Sequence, residues 1–94
     1  MTPEETQLFK LLDDYSRTKH RCFLSEMFMS KQGTEYTLCF RSTDDSPDSP
    51  WPHACRYVRI SRAEAFTVGR SKTLSEATAG MLDRELSELG QSPP

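Results

Sequence analysis

The chain has 94 residues, of which 35% are hydrophobic, and its 12 basic and 14 acidic side chains give a net charge of −2. This length allows one small domain, expected over residues 1–90, followed by a frayed tail over residues 91–94. A multidomain enzyme and a large nucleotide-binding sheet are both excluded by length alone.

The first predicted element is a helix over residues 3–17. Residues 2–5, Thr-Pro-Glu-Glu, have the spacing of a capping box, with proline at the first helical position. Leu8, Leu12 and Tyr15 then recur at helical spacing. We therefore expect an amphipathic helix that packs against the rest of the domain.

Two strands follow, over residues 21–29 and 35–41, and their spacing predicts an antiparallel hairpin. Residues 30–33 end in a glycine suited to a left-handed turn position. The second strand alternates apolar and polar residues, which is typical of a strand with one buried face. Apolar residues occupy both parities of the first strand, which predicts a central strand or one covered on both faces.

Residues 43–52 form an acidic, proline-rich loop, and a third strand is expected over residues 53–61. The loop contains three aspartates and three prolines, and proline cannot donate to a sheet ladder. Its only apolar residue, Trp51, lies between two prolines. A tryptophan held in this way would anchor a partner at low entropic cost, or would fold back onto the core, and both interpretations stay open.

The chain after the third strand is harder to interpret. Residues 61–64, Ser-Arg-Ala-Glu, have capping-box spacing, but residues 65–68 fit a short helical turn and an extended segment equally well. We expect Gly69 to break either one. The last helix is the clearest element, because residues 73–76, Thr-Leu-Ser-Glu, form a capping box and Gly90 is a natural stop.

These elements predict the α+β class in the order α-β-β-β-α, with a short extra turn before the last helix. Two helices would pack on one face of an antiparallel sheet of three or four strands. In the last helix, Thr78 and Glu85 interrupt a wide apolar arc, which predicts two contact surfaces. One would face the sheet, and the other, with Met81, Glu85 and Leu89, would mediate homodimer formation. Alternatively, Glu85 lies at the rim of a single surface.

Charge is distributed unevenly along the chain. Residues 51–72 contain five basic residues and one acidic residue, whereas the loop before them and the last helix are acidic. The candidate partner-binding residues are Trp51, Arg56, Arg59, Arg62, Arg70 and Lys72. Arginine pairs well with carboxylates and phosphates, so this segment would bind an acidic protein surface or a phosphate, or would only balance the chain's own acidic residues.

Two His-x-Cys pairs define a candidate metal site. His20, Cys22, His53 and Cys55 together would supply the Cys₂His₂ ligands of a tetrahedral zinc ion. Buried thiols beside exposed histidines explain the same residues, and this is the interpretation we favour. Because no nucleophile–base pair and no glycine-rich phosphate loop is evident, we expect no catalytic residue, no metal and no cofactor.

The number of cysteines also indicates the cellular compartment of the protein. Three cysteines leave at least one thiol unpaired, which favours a reducing compartment. No apolar run approaches the ~20 residues of a membrane-spanning helix, and no signal peptide is evident. We therefore expect a cytoplasmic protein without a membrane partner.

The element order resembles that of the double-stranded-RNA-binding domain. Residues 69–72, Gly-Arg-Ser-Lys, resemble the basic cluster at the start of that family's second helix. The resemblance implies RNA contacts through the first helix, the first hairpin turn and this cluster, here with the arginines of the third strand. The turn over residues 30–33 lacks the family's Gly-Pro and histidine, and the last helix carries four acidic residues.

The sequence as a whole favours a non-enzymatic module that binds a partner protein and acts as a regulator or inhibitor. Its build is similar to that of small accessory or phage-type inhibitor proteins. The alternatives are an RNA-binding domain and a binder of a small phosphate-bearing ligand.

Overall fold

The computed structural model describes residues 2–43, 55–71, 73–87 and 89. The elements are α1 (Pro3–His20), β1 (Cys22–Met29), β2 (Glu35–Ser42), β3 (Cys55–Ser61), α2 (Arg62–Arg70) and α3 (Glu76–Leu86). This order confirms the α+β class with an antiparallel sheet, and a full helix replaces the predicted short turn. Apart from Thr43, the predicted acidic loop lies outside the described residues, as does the tail. None of the helices in the described ranges is both long and apolar enough to span a membrane.

The helix α1 begins where the sequence predicts and ends three residues later. The Thr2 hydroxyl accepts a hydrogen bond from the Glu5 amide at 3.1 Å, and the Glu5 carboxylate accepts one from the Thr2 amide at 3.0 Å. The helix continues to His20 because Arg21 adopts a left-handed conformation, with φ of 54°, and donates its amide hydrogen to the Ser16 carbonyl. This cap satisfies a carbonyl that a helix end otherwise leaves unpaired.

The strands form one antiparallel sheet in the order β1-β2-β3, so β2 is central. Gly33 supplies a φ of 70° in the turn between β1 and β2, which confirms the predicted hairpin. The prediction that β1 is central or covered on both faces is wrong. β1 is an edge strand with a bulge between Leu24 and Glu26, and Phe28, near its end, is half-exposed.

One hydrophobic cluster joins all three helices to a single face of the sheet, which we call the covered face. Its buried members are Leu8, Leu12, Cys22, Leu24, Tyr36, Leu38, Phe40, Val58, Ile60, Ala65, Val68, Leu82 and Leu86. The strand residues that alternate with them point the other way. We call that side the uncovered face, and its residues are Phe23, Glu26, Phe28, Thr37, Cys39, Arg41, Cys55, Tyr57 and Arg59.

The helix α2 is complete, although the sequence left residues 65–68 open between helix and strand. The Ser61 hydroxyl accepts a hydrogen bond from the Glu64 amide at 3.1 Å, as the capping box predicts. The expectation that Gly69 breaks the segment is wrong, because Gly69 is helical and buried. A Cβ there would lie 2.6 Å from the Glu4 carbonyl oxygen, so glycine permits the close approach of α2 to α1.

The helix α3 begins later than predicted, with Ser75 rather than Thr73 as its cap. The Ser75 hydroxyl accepts a hydrogen bond from the Thr78 amide at 3.1 Å and donates one to the Glu64 carboxylate at 2.5 Å. The Thr78 hydroxyl donates to the same carboxylate oxygen at 2.6 Å. The start of α3 is therefore fixed by a contact with α2, and the predicted stop, Gly90, lies outside the described residues.

Candidate functional site: the uncovered sheet face

The uncovered face carries its side chains in rows that cross the three strands. The rows are Phe23–Arg41–Cys55, Glu26–Cys39–Tyr57 and Phe28–Thr37–Arg59. Each row therefore contains an aromatic ring, and two of the three contain an arginine. This composition differs from the small polar side chains that a merely solvated sheet face usually presents.

Two rings and one guanidinium on this face reach far into solvent. Phe28 is 48% exposed and Tyr57 is 60% exposed. The Arg59 side chain is 74% exposed, and its Nη1 lies 4.0 Å from the Glu35 carboxylate, a long ion pair. Because covering an aromatic ring removes a large apolar area from water, this surface has a driving force for association.

The centre of the face is a cluster of two thiols and a phenol, from Cys39, Cys55 and Tyr57. Cys39 is only 2% exposed, although it lies on this side of the sheet opposite Tyr57. Burial raises the pKa of the Cys39 thiol, negative charge on Cys55 raises it further, and Arg41 opposes the rise. The pKa of Tyr57 is raised by negative charge on Cys55 and then on Cys39. Cys39 therefore stays protonated at neutral pH and is a buried packing residue rather than a nucleophile.

Phe28 and Tyr57 are not among the partner-binding residues predicted from the sequence. Tyr57 lies out of step with the buried residues of β3, whereas Phe28 shares the parity of Cys22 and Leu24 and faces the other way only because of the bulge between Leu24 and Glu26. The alternation in β3 predicts the uncovered face only after it is known that the helices pack on one side of the sheet, and the bulge in β1 has no evident signal in the sequence.

The structure separates the candidate partner-binding residues. Arg59 lies on the uncovered face, whereas Arg56 is half-buried on the helix side of β3. Arg62 and Arg70 are the first and last residues of α2. Trp51 and Lys72 lie outside the described residues. The basic segment of the sequence is therefore not one patch among the residues described.

The helix α2 presents a second, smaller candidate surface. Arg62, Phe66 and Arg70 recur every four residues, which places them on one side of the helix. Phe66 is 46% exposed, and the Arg70 guanidinium carbon lies 4.3 Å from its ring centroid. A cleft of about 170 Å³ beside Phe66 is lined by residues of α1, α2 and the sheet, among them Tyr36, whose hydroxyl donates to Glu5 at 3.1 Å.

The candidate zinc ligands do not come together. Cys22 is buried on the covered face and Cys55 is exposed on the opposite face, so the two thiols cannot share one ion. His20 contacts Asp83, and His53 lies outside the described residues. Within the described ranges, no three His, Cys, Asp or Glu side chains are placed to hold a metal.

His20 instead belongs to a clasp between α1 and α3. Its Nε2 lies 2.8 Å from the Asp83 carboxylate, which also accepts a hydrogen bond from the Tyr15 hydroxyl at 2.7 Å. These bonds lower the pKa of Asp83, with Tyr15 as the larger cause and His20 as the smaller. The clasp joins residues that are 68 and 63 positions apart in the chain.

One of the residues predicted for self-association lies at a groove between α3 and β3. Met81 lines this groove and is half-buried, as are Glu85 and Leu89. The polar side chain Thr78, interpreted as part of a stripe between two surfaces, is buried and donates to Glu64. Thr78 therefore serves a contact within the chain.

No protein-family model matches the chain, and searches of curated proteins and of solved structures likewise found no match.

Proposed function

We propose that the chain is a small non-enzymatic module that binds a partner protein through its uncovered face and acts as a regulator or inhibitor. The observation that carries this proposal is the exposure of Phe28 and Tyr57 on a sheet face against which no described helix packs. Occupying a surface of the partner is sufficient for such a role, because it requires no chemistry from the module.

The rigidity of the surface supports the proposal. Phe28 and Tyr57 project from paired strands, and aromatic side chains have few rotatable bonds. Little conformational entropy is therefore lost when a partner covers them. Aromatic residues and arginines are also the residue types that contribute most at protein interfaces.

Charge indicates the character of the partner. Arg41 and Arg59 lie on the face, and Arg17 reaches its border, with its guanidinium carbon 5.4 Å from the Phe23 ring centroid. An apolar partner surface with acidic groups at its rim would complement this arrangement. The rim charges would speed association more than they would strengthen the final complex.

The test is affinity capture from cells that produce the protein, with a double variant, Phe28→Ser with Tyr57→Ser. We expect the double variant to lose binding by at least about tenfold while it keeps the far-ultraviolet circular dichroism of the wild type. Phe66→Ser is the matched control, since it removes an exposed ring from α2 instead. Full retention by the double variant together with loss in Phe66→Ser would place the binding surface on α2 and reject the proposal.

A second candidate function is binding of single-stranded RNA. The observation in its favour is the combination of exposed rings and arginines on an antiparallel sheet face, since bases stack on such rings and phosphates pair with guanidinium groups. Glu26 and Glu35 lower the positive potential nearby, which weakens this candidate.

Fluorescence anisotropy with a labelled uridine oligonucleotide separates the two functions. RNA binding through this face would weaken steeply as salt increases and would be lost in the double variant. Binding that is absent at low salt would remove this candidate and leave protein binding.

A further inference from the structure

The two edges of the sheet differ in how they are protected. On β1, a bulge interrupts the ladder after Leu24, and the Leu24 amide donates a hydrogen bond to the Asp13 carboxylate at 2.9 Å. On β3, the register with β2 runs unbroken from Cys55 to Ser61, and no described strand pairs with its outer side. A regular edge strand exposes amide and carbonyl groups that can accept a further strand.

A groove beside this edge can receive side chains. It has a volume of about 270 Å³ and lies between β3 and α3. Ile60 of the strand and Ala77 and Met81 of the helix supply its apolar surface. A strand added to β3 would point alternate side chains into this groove and the remaining ones toward the uncovered face.

Charge argues against a second copy of the chain as the added strand. β3 carries Arg56 and Arg59, so pairing two copies of β3 in antiparallel fashion would bring arginines close together. Like charges on facing strands are destabilising, whereas opposite charges stabilise a pair. The exposed guanidinium of Arg59 forms a long ion pair with Glu35 among the described residues, so it can pair with a carboxylate of an incoming strand.

We propose that the partner protein adds an extended segment to β3 as a fourth strand, with apolar side chains in the groove and carboxylates facing Arg59. This inference rests on the proposed function, because it specifies the chemistry of the partner that the module binds. The segment alternates apolar and acidic residues and binds through backbone hydrogen bonds along β3. The sheet of the complex then has four strands.

The test uses isotope-labelled protein and end-blocked peptides with four Val-Glu repeats, observed by nuclear magnetic resonance. We expect chemical-shift changes at β3 and at the groove, and an affinity about tenfold above that of the corresponding Val-Lys peptide. Arg59→Glu should reverse this preference. Arg70→Glu is the matched control, since Arg70 lies on α2 away from the groove lining, and it should leave the preference unchanged.

Two N-methylated peptides test the strand geometry without altering the protein. One carries methyl groups on the valine amides and the other on the glutamate amides. Since only alternate residues of an added strand bond to its neighbour, we expect one methylated peptide to lose about tenfold in affinity and the other to retain it. Equal effects of the two methylations would overturn the proposal.

Other outcomes distinguish this inference from the proposed function. Shift changes away from β3, equal binding of the lysine peptide, or no binding of any peptide would each reject strand addition. Partner capture that still depends on Phe28 and Tyr57 would leave the proposed function in place. Strand addition with capture independent of those rings would instead reject the uncovered face as the main surface.

Discussion

Both faces of the sheet carry aromatic side chains, but the two faces differ in how far those rings are buried. On the covered face, Leu38 and Phe40 are fully buried against the helices. On the uncovered face, Phe28 and Tyr57 remain about half-exposed or more. Stability is therefore concentrated on one side of a thin sheet, and the other side can change its surface without changing the fold.

The strongest test of this comparison is to truncate one ring on each face. Phe40→Ala should cost about 3–5 kcal/mol of unfolding free energy, because it removes a fully buried ring and leaves a cavity. Tyr57→Ala should leave the free energy of unfolding close to that of the wild type. Urea denaturation measures both, and a comparable loss in the two variants would show that the uncovered face also stabilises the fold.

The second largest change in the free energy of unfolding is expected for Gly69→Ala, which disturbs the packing of the helices on the covered face. We expect a loss of about 2 kcal/mol, since the new Cβ would lie 2.6 Å from the Glu4 carbonyl oxygen and would force α1 and α2 apart. Gly80→Ala in α3 is the matched control, because its nearest neighbour, Arg84, lies at 3.8 Å. That control should gain about 0.5–1 kcal/mol in chemical denaturation from helix propensity alone. Equal changes in the free energy of unfolding for Gly69→Ala and Gly80→Ala would mean that Gly69 does not set the distance between α1 and α2.

A smaller change in the free energy of unfolding is expected for Asp13→Ala, which removes the contact that protects the β1 edge of the sheet. The Asp13 carboxylate accepts hydrogen bonds from the Leu24 amide and from the Arg17 guanidinium, each at 2.9 Å. Losing the first leaves a part-buried amide unpaired, so we expect a cost of about 1–2 kcal/mol and faster hydrogen exchange at Leu24. Asp14→Ala, at an exposed neighbouring position, should change neither quantity.

The smallest expected effect is the pH dependence of the clasp at the helix ends. The folded pKa of Asp83 is lowered, so its contribution to stability is present above the pKa of an unfolded carboxyl group, about 4, and is lost as pH falls through the folded value. Asp83→Asn should therefore reduce the loss of thermal stability between neutral and acidic pH. The pKa values of Glu5 and Glu64 are also lowered, so part of the pH dependence of thermal stability should remain in this variant. An unchanged pH profile in the variant would show that the clasp does not stabilise the fold.

Local signals predicted most of the fold. The capping box at Thr2 and the alternation in β2 describe local geometry, and both are observed. The sequence could not establish the state of residues 65–68, because four residues carry too little periodicity to separate a helix from a strand. Gly69 was misinterpreted for a different reason, since its role depends on Glu4, which is distant in sequence.

The candidate site was less predictable because it depends on which face and which edge remain uncovered. Arg59 and Arg62 are close in the chain, yet one lies on the uncovered face and the other begins a helix. Among the basic residues that the structure describes, clustering in the sequence therefore did not become clustering in space. The placement of Tyr57 followed from strand parity and that of Phe28 from the bulge in β1, whereas the exposure of both followed from the packing of the three described helices on one side.

The two partners of the clasp, Tyr15 and Asp83, are synthesised at different times. These residues are 68 positions apart, and a ribosome adds about 5–20 residues per second, so Asp83 is made roughly 3–14 seconds after Tyr15. During that interval Leu8 and Leu12 lack Leu82 and Leu86, which complete their cluster. Until α3 has been synthesised, Leu8 and Leu12 of the nascent chain therefore lack part of the apolar packing that buries them in the fold.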